Sequence, residues 1–265
     1  MSIALNNLRL FLPALLCSIC TISTAQKLPN KQESSIYAPA DIKIDGNTKE
    51  WKGLFQAYNK ATEVFYTVSN DADHLYLVLQ ANDPDVIQKI MPGGITFTVS
   101  NNAKNSTVAP IAITYPLIPF QYALVKYSLK PNGPLTDSAV LAVNRQISDH
   151  LKEIRITGVK EIPESSVSVY NDQGILAVQH IDNKKAYTYE LAIPLKFIQP
   201  VINDAGVLKY NIQVNGIDLK TTKVYSGRPA GEIVEPSESA VSHGMDYETS
   251  PTYFSSEYTL AKKPN

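Results

Sequence analysis

Cysteine is nearly absent from this chain, and it occurs only in a stretch that the mature protein would not keep. Cys17 and Cys20 lie in the apolar run from Leu10 to Ile22, with Arg9 before it and the small residues Ser23-Thr24-Ala25 after it. That is the pattern of a secretory signal peptide. Cleavage after Ala25 leaves residues 26–265 without a thiol, which excludes a disulfide framework, a thiol nucleophile and a thiolate metal site. Leu16 and Ile19 precede the cysteines where lipidation wants a small residue, so secreted or periplasmic export is favoured over a lipid anchor. Long apolar runs are also missing: Leu10–Ile22 falls short of the ~20 residues that span a bilayer, and nothing later approaches it. An excess of either charge is lacking too. With 24 basic against 25 acidic residues and a formal net charge of −1, neither nucleic acid nor anionic lipid is expected as a partner. No G-x-S-x-G, H-E-x-x-H or P-loop pattern occurs, so acyl transfer, zinc hydrolysis and nucleotide chemistry have no motif to stand on.

What the chain does contain is 15 Tyr and 17 Pro against one Trp, a composition that suits short strands joined by turn-punctuated loops. Residues 26–40 are polar, carry Pro29 and Pro39 and show no apolar period, so they read as a spacer. One domain then covers 41–265. Ile42 and Ile44 lead into the Asp45-Gly46 turn, and two β-rich runs, Val64–Ser69 and Leu75–Ala81, flank Asn70-Asp71-Ala72-Asp73-His74 as a hairpin. Ile95, Phe97 and Val99 alternate with Thr96, Thr98 and Ser100 after Gly93-Gly94, the period of a half-buried strand. Further strands are expected at Ile111–Thr114, Tyr122–Leu129, Ile154–Val159, Val167–Tyr170, Ile175–Gln179, Ala186–Ile193, Tyr210–Asp218 and Glu257–Leu260. Between Asp137 and Leu151 the apolar residues Val140, Val143, Ile147 and Leu151 recur at helical spacing, with Asp137 as N-cap. Many short strands, one short helix and no strand-helix alternation predict an all-β, mostly antiparallel sandwich or jelly roll.

Several of these stretches together resemble family 9 carbohydrate-binding modules and their DOMON-like relatives. The resemblance rests on Ile42-Lys43-Ile44-Asp45-Gly46 with Glu50-Trp51, then His74–Leu79 with Asn82-Asp83-Pro84, then Ile95–Val99. It continues in Tyr187–Leu195 with its Ile-Pro ending, in Leu208–Asp218 and in Phe254–Leu260. Residues 103–169 match nothing in that family. The resemblance implies an antiparallel β-sandwich and a non-catalytic domain that recognises a glycan or polysaccharide, at most an accessory to glycoside hydrolysis. The alternatives are an exported scaffold that contacts a partner protein and, with less support, a haem carrier. Haem ligation would fall to Met91 and His180.

A sugar offers an apolar ring face and a rim of hydroxyls, so a binder needs a flat aromatic surface with polar groups beside it. The candidates are Tyr115 and Tyr122 in the proline-rich stretch, and Tyr225, Arg228, Glu232, Asp246, Tyr247 and Tyr253 in or beside the long segment 221–256. Asp71, Asp73, Asp83 and Asp85 carry the hard oxygens that calcium takes; turn chemistry accounts for Asp71, Asp73 and Asp83 equally well and is preferred. No cofactor is required. Trp51 is expected in the core rather than as a sugar platform, and Glu190 as a hydrogen-bonding residue rather than an acid catalyst.

Overall fold

The computed structural model describes residues 27–51, 55–103, 106–118, 133–217 and 246–264. In chain order the elements are β1 (Ala57–Asn59), β2 (Val64–Asn70), β3 (His74–Ala81), helix α1 (Pro84–Gly93), β4 (Ile95–Ser100), β5 (Ile111–Tyr115) and α2 (Asp137–Ser148). There follow β6 (Glu153–Thr157), β7 (Ser166–Ser168), β8 (Leu176–Ile181), β9 (Tyr187–Pro194), the single turn α3 (Leu195–Ile198), β10 (Val207–Val214), the single turn α4 (Asp246–Thr249) and β11 (Thr252–Thr259). The strands form a five-stranded sheet, β1-β2-β3-β9-β8, and a six-stranded sheet, β11-β10-β4-β5-β6-β7. All strand pairs in both sheets are antiparallel.

The period of two sorts each strand between an inner and an outer face. Leu75, Leu77, Leu79 and Ala81 of β3 and Tyr187, Tyr189, Leu191 and Ile193 of β9 enter the main core. Ile95, Phe97 and Val99 of β4 and Tyr210, Ile212 and Val214 of β10 enter it from the other sheet. This is the predicted β-sandwich. Strand β9 is nevertheless buried along its whole length, because a second, smaller core covers the outer face of its sheet. Ala38, Trp51, Tyr76, Val78 and Ala192 form that core, flanked by the half-buried Ile42, Ile44 and Phe55.

The expected spacer is in large part structural. Gln32 is buried, donating through Nε2 to the Val68 carbonyl and accepting from the Val68 N–H through Oε1, both at 2.8 Å. Ala38 N–H donates to Asn70 O (2.8 Å) and Asn70 N–H to Ile36 O (3.2 Å). Polar composition hid this, because side-chain amides here replace strand hydrogen bonds. Helix α1, read from sequence only as a turn, is capped by Asp83, whose side chain accepts from Asp85 N–H, and carries Pro84 in its first turn. Val86, Ile87, Ile90 and Met91 make its buried face. The expected helix α2 forms with Thr136, one residue earlier than predicted, as its cap. Its Asn144 closes the free edge of β8, bonding both the N–H and the carbonyl of Ile181 at 2.8 Å. The expected strand 122–129 lies outside the described residues.

Candidate functional site

The outer face of the five-stranded sheet is organised by one carboxylate. Glu190 is 1% exposed and accepts from Asp45 N–H (3.0 Å), Gly46 N–H (2.7 Å) and Trp51 Nε1 (3.0 Å). Burial raises its pKa, with the three donors working against that shift. Trp51 also meets Tyr76 edge-on at 6.4 Å between ring centroids. Trp51 is thus core, as expected, and Glu190 is the hydrogen-bonding residue expected of it. The Asp45-Gly46 turn needs glycine twice over. Gly46 has φ +81°, and a Cβ there would fall 2.5 Å from the His180 Cβ.

Held in this way, the turn overhangs a concavity of about 240 Å³ whose floor is Gln80, Thr188, His180 and Asp182. Gln80, Thr188 and His180 occupy one cross-strand row through β3, β9 and β8. Burial lowers the His180 pKa, with Asp182 and Asp45 opposing, which favours the neutral imidazole. The concavity lies below the ~300–1,000 Å³ of ordinary ligand pockets and offers donors and acceptors without a Phe, Tyr or Trp ring in its lining. Sequence reasoning missed it, because its residues come from three strands and a turn. The one local signal was the alternation of Thr188 with the inward Tyr187 and Tyr189.

The outer face of the six-stranded sheet carries a different arrangement. Register places Tyr253, Gln213, Thr96, Thr114 and Arg155 side by side in a single row across β11, β10, β4, β5 and β6. Tyr253 is 62% exposed. The middle of the row is tied by hydrogen bonds: Thr96 and Thr114 hydroxyls lie 2.8 Å apart, Asn215 Nδ2 donates to Thr96 Oγ1 (3.0 Å) and Gln213 Nε2 to Asn215 Oδ1 (2.7 Å). Asn211 and Thr98 continue the face one row away. An exposed ring therefore stands beside a fixed strip of amides and hydroxyls. Tyr253 was legible as a candidate; the strip was not, since only register assembles it.

The other predicted residues are dispersed. Tyr115 is 4% exposed and packs against Tyr189 with centroids 6.2 Å apart, so it is a core residue and offers no platform to solvent. Tyr247 is 37% exposed, and both its ends are engaged. Its hydroxyl donates to Glu63 Oε2 at 2.8 Å, and the Lys89 ammonium lies 4.6 Å from its ring centroid. Lys89 is buried, donates to Thr252 Oγ1 at 3.2 Å, and has its pKa lowered by that burial. Tyr122, Tyr225, Arg228 and Glu232 lie outside the described residues, as does the side chain of Asp246. Ile217 N–H donates to Glu248 O at 2.8 Å.

Asp71 and Asp83 make the local bonds that turn chemistry anticipates. Asp71 Oδ1 accepts from the Asp73 and His74 N–H groups, both at 2.7 Å, and Oδ2 from Tyr76 Oη at 2.7 Å. Asp83 accepts from Asp85 N–H at 2.8 Å. Among the described residues no three His, Cys, Asp or Glu side chains, Asp73 and Asp85 included, gather as a metal site. Met91 belongs to the main core, whereas His180 lines the outer concavity, so the two are not brought together. No described helix is long and apolar enough to cross a membrane.

No protein-family model matches this chain, and no curated protein matches it. A solved structure is similar to it. That structure is a carbohydrate-binding module of family 9 from Caldicellulosiruptor kristjanssonii in complex with glucose, 11% identical, with a TM-score of 0.35 over 72% of this chain and 83% of that one. The sandwich assignment itself rests on the strand pairing described above.

Proposed function

We propose that this chain is an exported, non-catalytic carbohydrate-binding domain of the family 9 type, serving polysaccharide recognition or catabolism, and that sugar docks on the outer face of the six-stranded sheet. The observation that carries the reading is the exposed Tyr253 ring beside the half-buried, hydrogen-bonded Gln213, Asn215 and Thr96, with the buried Thr114 fixing Thr96 from behind. A ring supplies stacking area against C–H groups, while fixed amides and hydroxyls meet a sugar's hydroxyl rim without having to reorganise. Arg155 at the far end of the row adds donors. The signal peptide and the ordered family motifs support the same reading. A protein-docking scaffold would present a broad apolar patch; the exposed large apolar side chains among the described residues, such as Leu141, Leu176 and Tyr253, instead stand on separate elements.

Calorimetric titration against a panel of plant, algal and host polysaccharides tests the proposal. A ligand is expected, with Tyr253→Ala weakening its binding at least tenfold, about 1.4 kcal/mol, and Arg155→Ala weakening it less. Both side chains are exposed, so stability should stay within about 0.5 kcal/mol of wild type. Undiminished affinity in Tyr253→Ala moves the site off this face.

A further inference from the structure

The interior of the sandwich holds polar groups that neither the fold nor the open sheet face uses. Tyr187 and Tyr189 are fully buried and Gln179 is 4% exposed. Both hydroxyls and both polar atoms of the carboxamide are buried without a hydrogen-bond partner. Buried polar groups are paired in almost all native structures, and the exceptions call for an explanation. These are also neighbours. Gln179 pairs with Tyr189 across β8 and β9, and Tyr187 lies two residues along the same strand face. Ala177 and Ile181 on either side of Gln179 enter the main core, so alternation turns Gln179 inward as well. From the opposite sheet Tyr115 packs against Tyr189.

We propose that the Tyr187 and Tyr189 hydroxyls and the Gln179 carboxamide form an internal binding site, between the two sheets, for small neutral hydroxylic molecules: water or a short polyol. The chemistry selects that class. Phenols and a carboxamide each supply a donor and an acceptor, which matches a guest whose hydroxyls do both. Charge is excluded because nothing neutralises it: the buried charged side chains among the described residues are Lys89 on α1 and Glu190 on the opposite face of β9. Burial also holds both phenols protonated by raising their pKa far above the ordinary range. The site stands apart from the glycan reading and does not depend on it.

High-resolution crystallography of the full chain, grown once in plain buffer and once with glycerol, tests it. Ordered density is expected within about 3.2 Å of both phenolic oxygens and the Gln179 amide. A three-carbon guest in the glycerol crystals would assign the site to polyols, and isolated oxygen peaks in both would assign it to water. In solution, magnetic relaxation dispersion should detect long-lived internal water or its displacement by glycerol, and Tyr189→Phe or Gln179→Met should abolish that signal. If Tyr189→Phe fails to fold, the wild-type density decides alone. Side chains that pair with protein groups, with no guest between them, overturn the proposal.

Discussion

Glu190 shows how one side chain can set a surface. It is the acid in the most fully buried strand, and its three acceptor contacts bind the 45–51 segment to β9. The carboxylate is needed for that geometry, yet burial raises its pKa, and the sign of the pH dependence follows. The unfolded chain releases this proton near the ordinary Glu value of about 4.3, while the folded chain keeps it to higher pH. Between those two values the folded state binds more protons, so stability from this group is greatest below about pH 4.3 and declines as pH rises to the folded value. Glu190→Gln removes the titration. In urea unfolding from pH 4 to 7, the stability of wild type relative to Glu190→Gln should fall with rising pH; a constant or rising difference contradicts the assignment.

At the scale of elements, the covering segment depends on Trp51 as much as on the turn. The indole fills the small core beside Tyr76 and donates to Glu190, so Trp51→Ala should cost about 3–5 kcal/mol as a large core truncation. Its emission, from the chain's only tryptophan, should be blue-shifted and nearly unchanged by glycan docking on the other sheet. Strong quenching by the ligand would place binding on this side. The strands were largely legible because period-two alternation is local: Ile95–Ser100 has the predicted bounds, and β3 begins one residue early at His74. What escaped needed distant partners. Strand β1 is three residues long and is defined by pairing with β2. Helix α1 was hidden behind Asp83-Pro84, a dipeptide that opens a helix as readily as it makes a turn. The concavity under Asp45–Thr48 and the strip beside Tyr253 exist only once register brings separate strands together, and no spacing within one segment encodes that.

For the whole molecule, the edge of β2 matters most. Strand β1 pairs only with Val64, Phe65 and Tyr66, and beyond it the Gln32 amide and residues 36–38 complete the edge. Gln32→Ala should therefore cost roughly 1–3 kcal/mol for each backbone group of Val68 left unpaired, and the uncovered edge should promote association. Chemical unfolding and size-exclusion chromatography would show both effects; a monomer of wild-type stability would mean that other groups cover the edge. The same region joins the two ends of the described chain. Asn70 Oδ1 accepts from Ala261 N–H (2.7 Å) and from Tyr258 Oη (2.9 Å), its Nδ2 donates to Ala261 O (3.1 Å), and its N–H donates to Ile36 O (3.2 Å). A pulling force applied between residues 27 and 264 would load the Pro29 and Gln32 bonds to β1 and β2 on one side and the Ala261–Asn70 bonds on the other. Both paths meet on β2, where Asn70 joins residues 36 and 261.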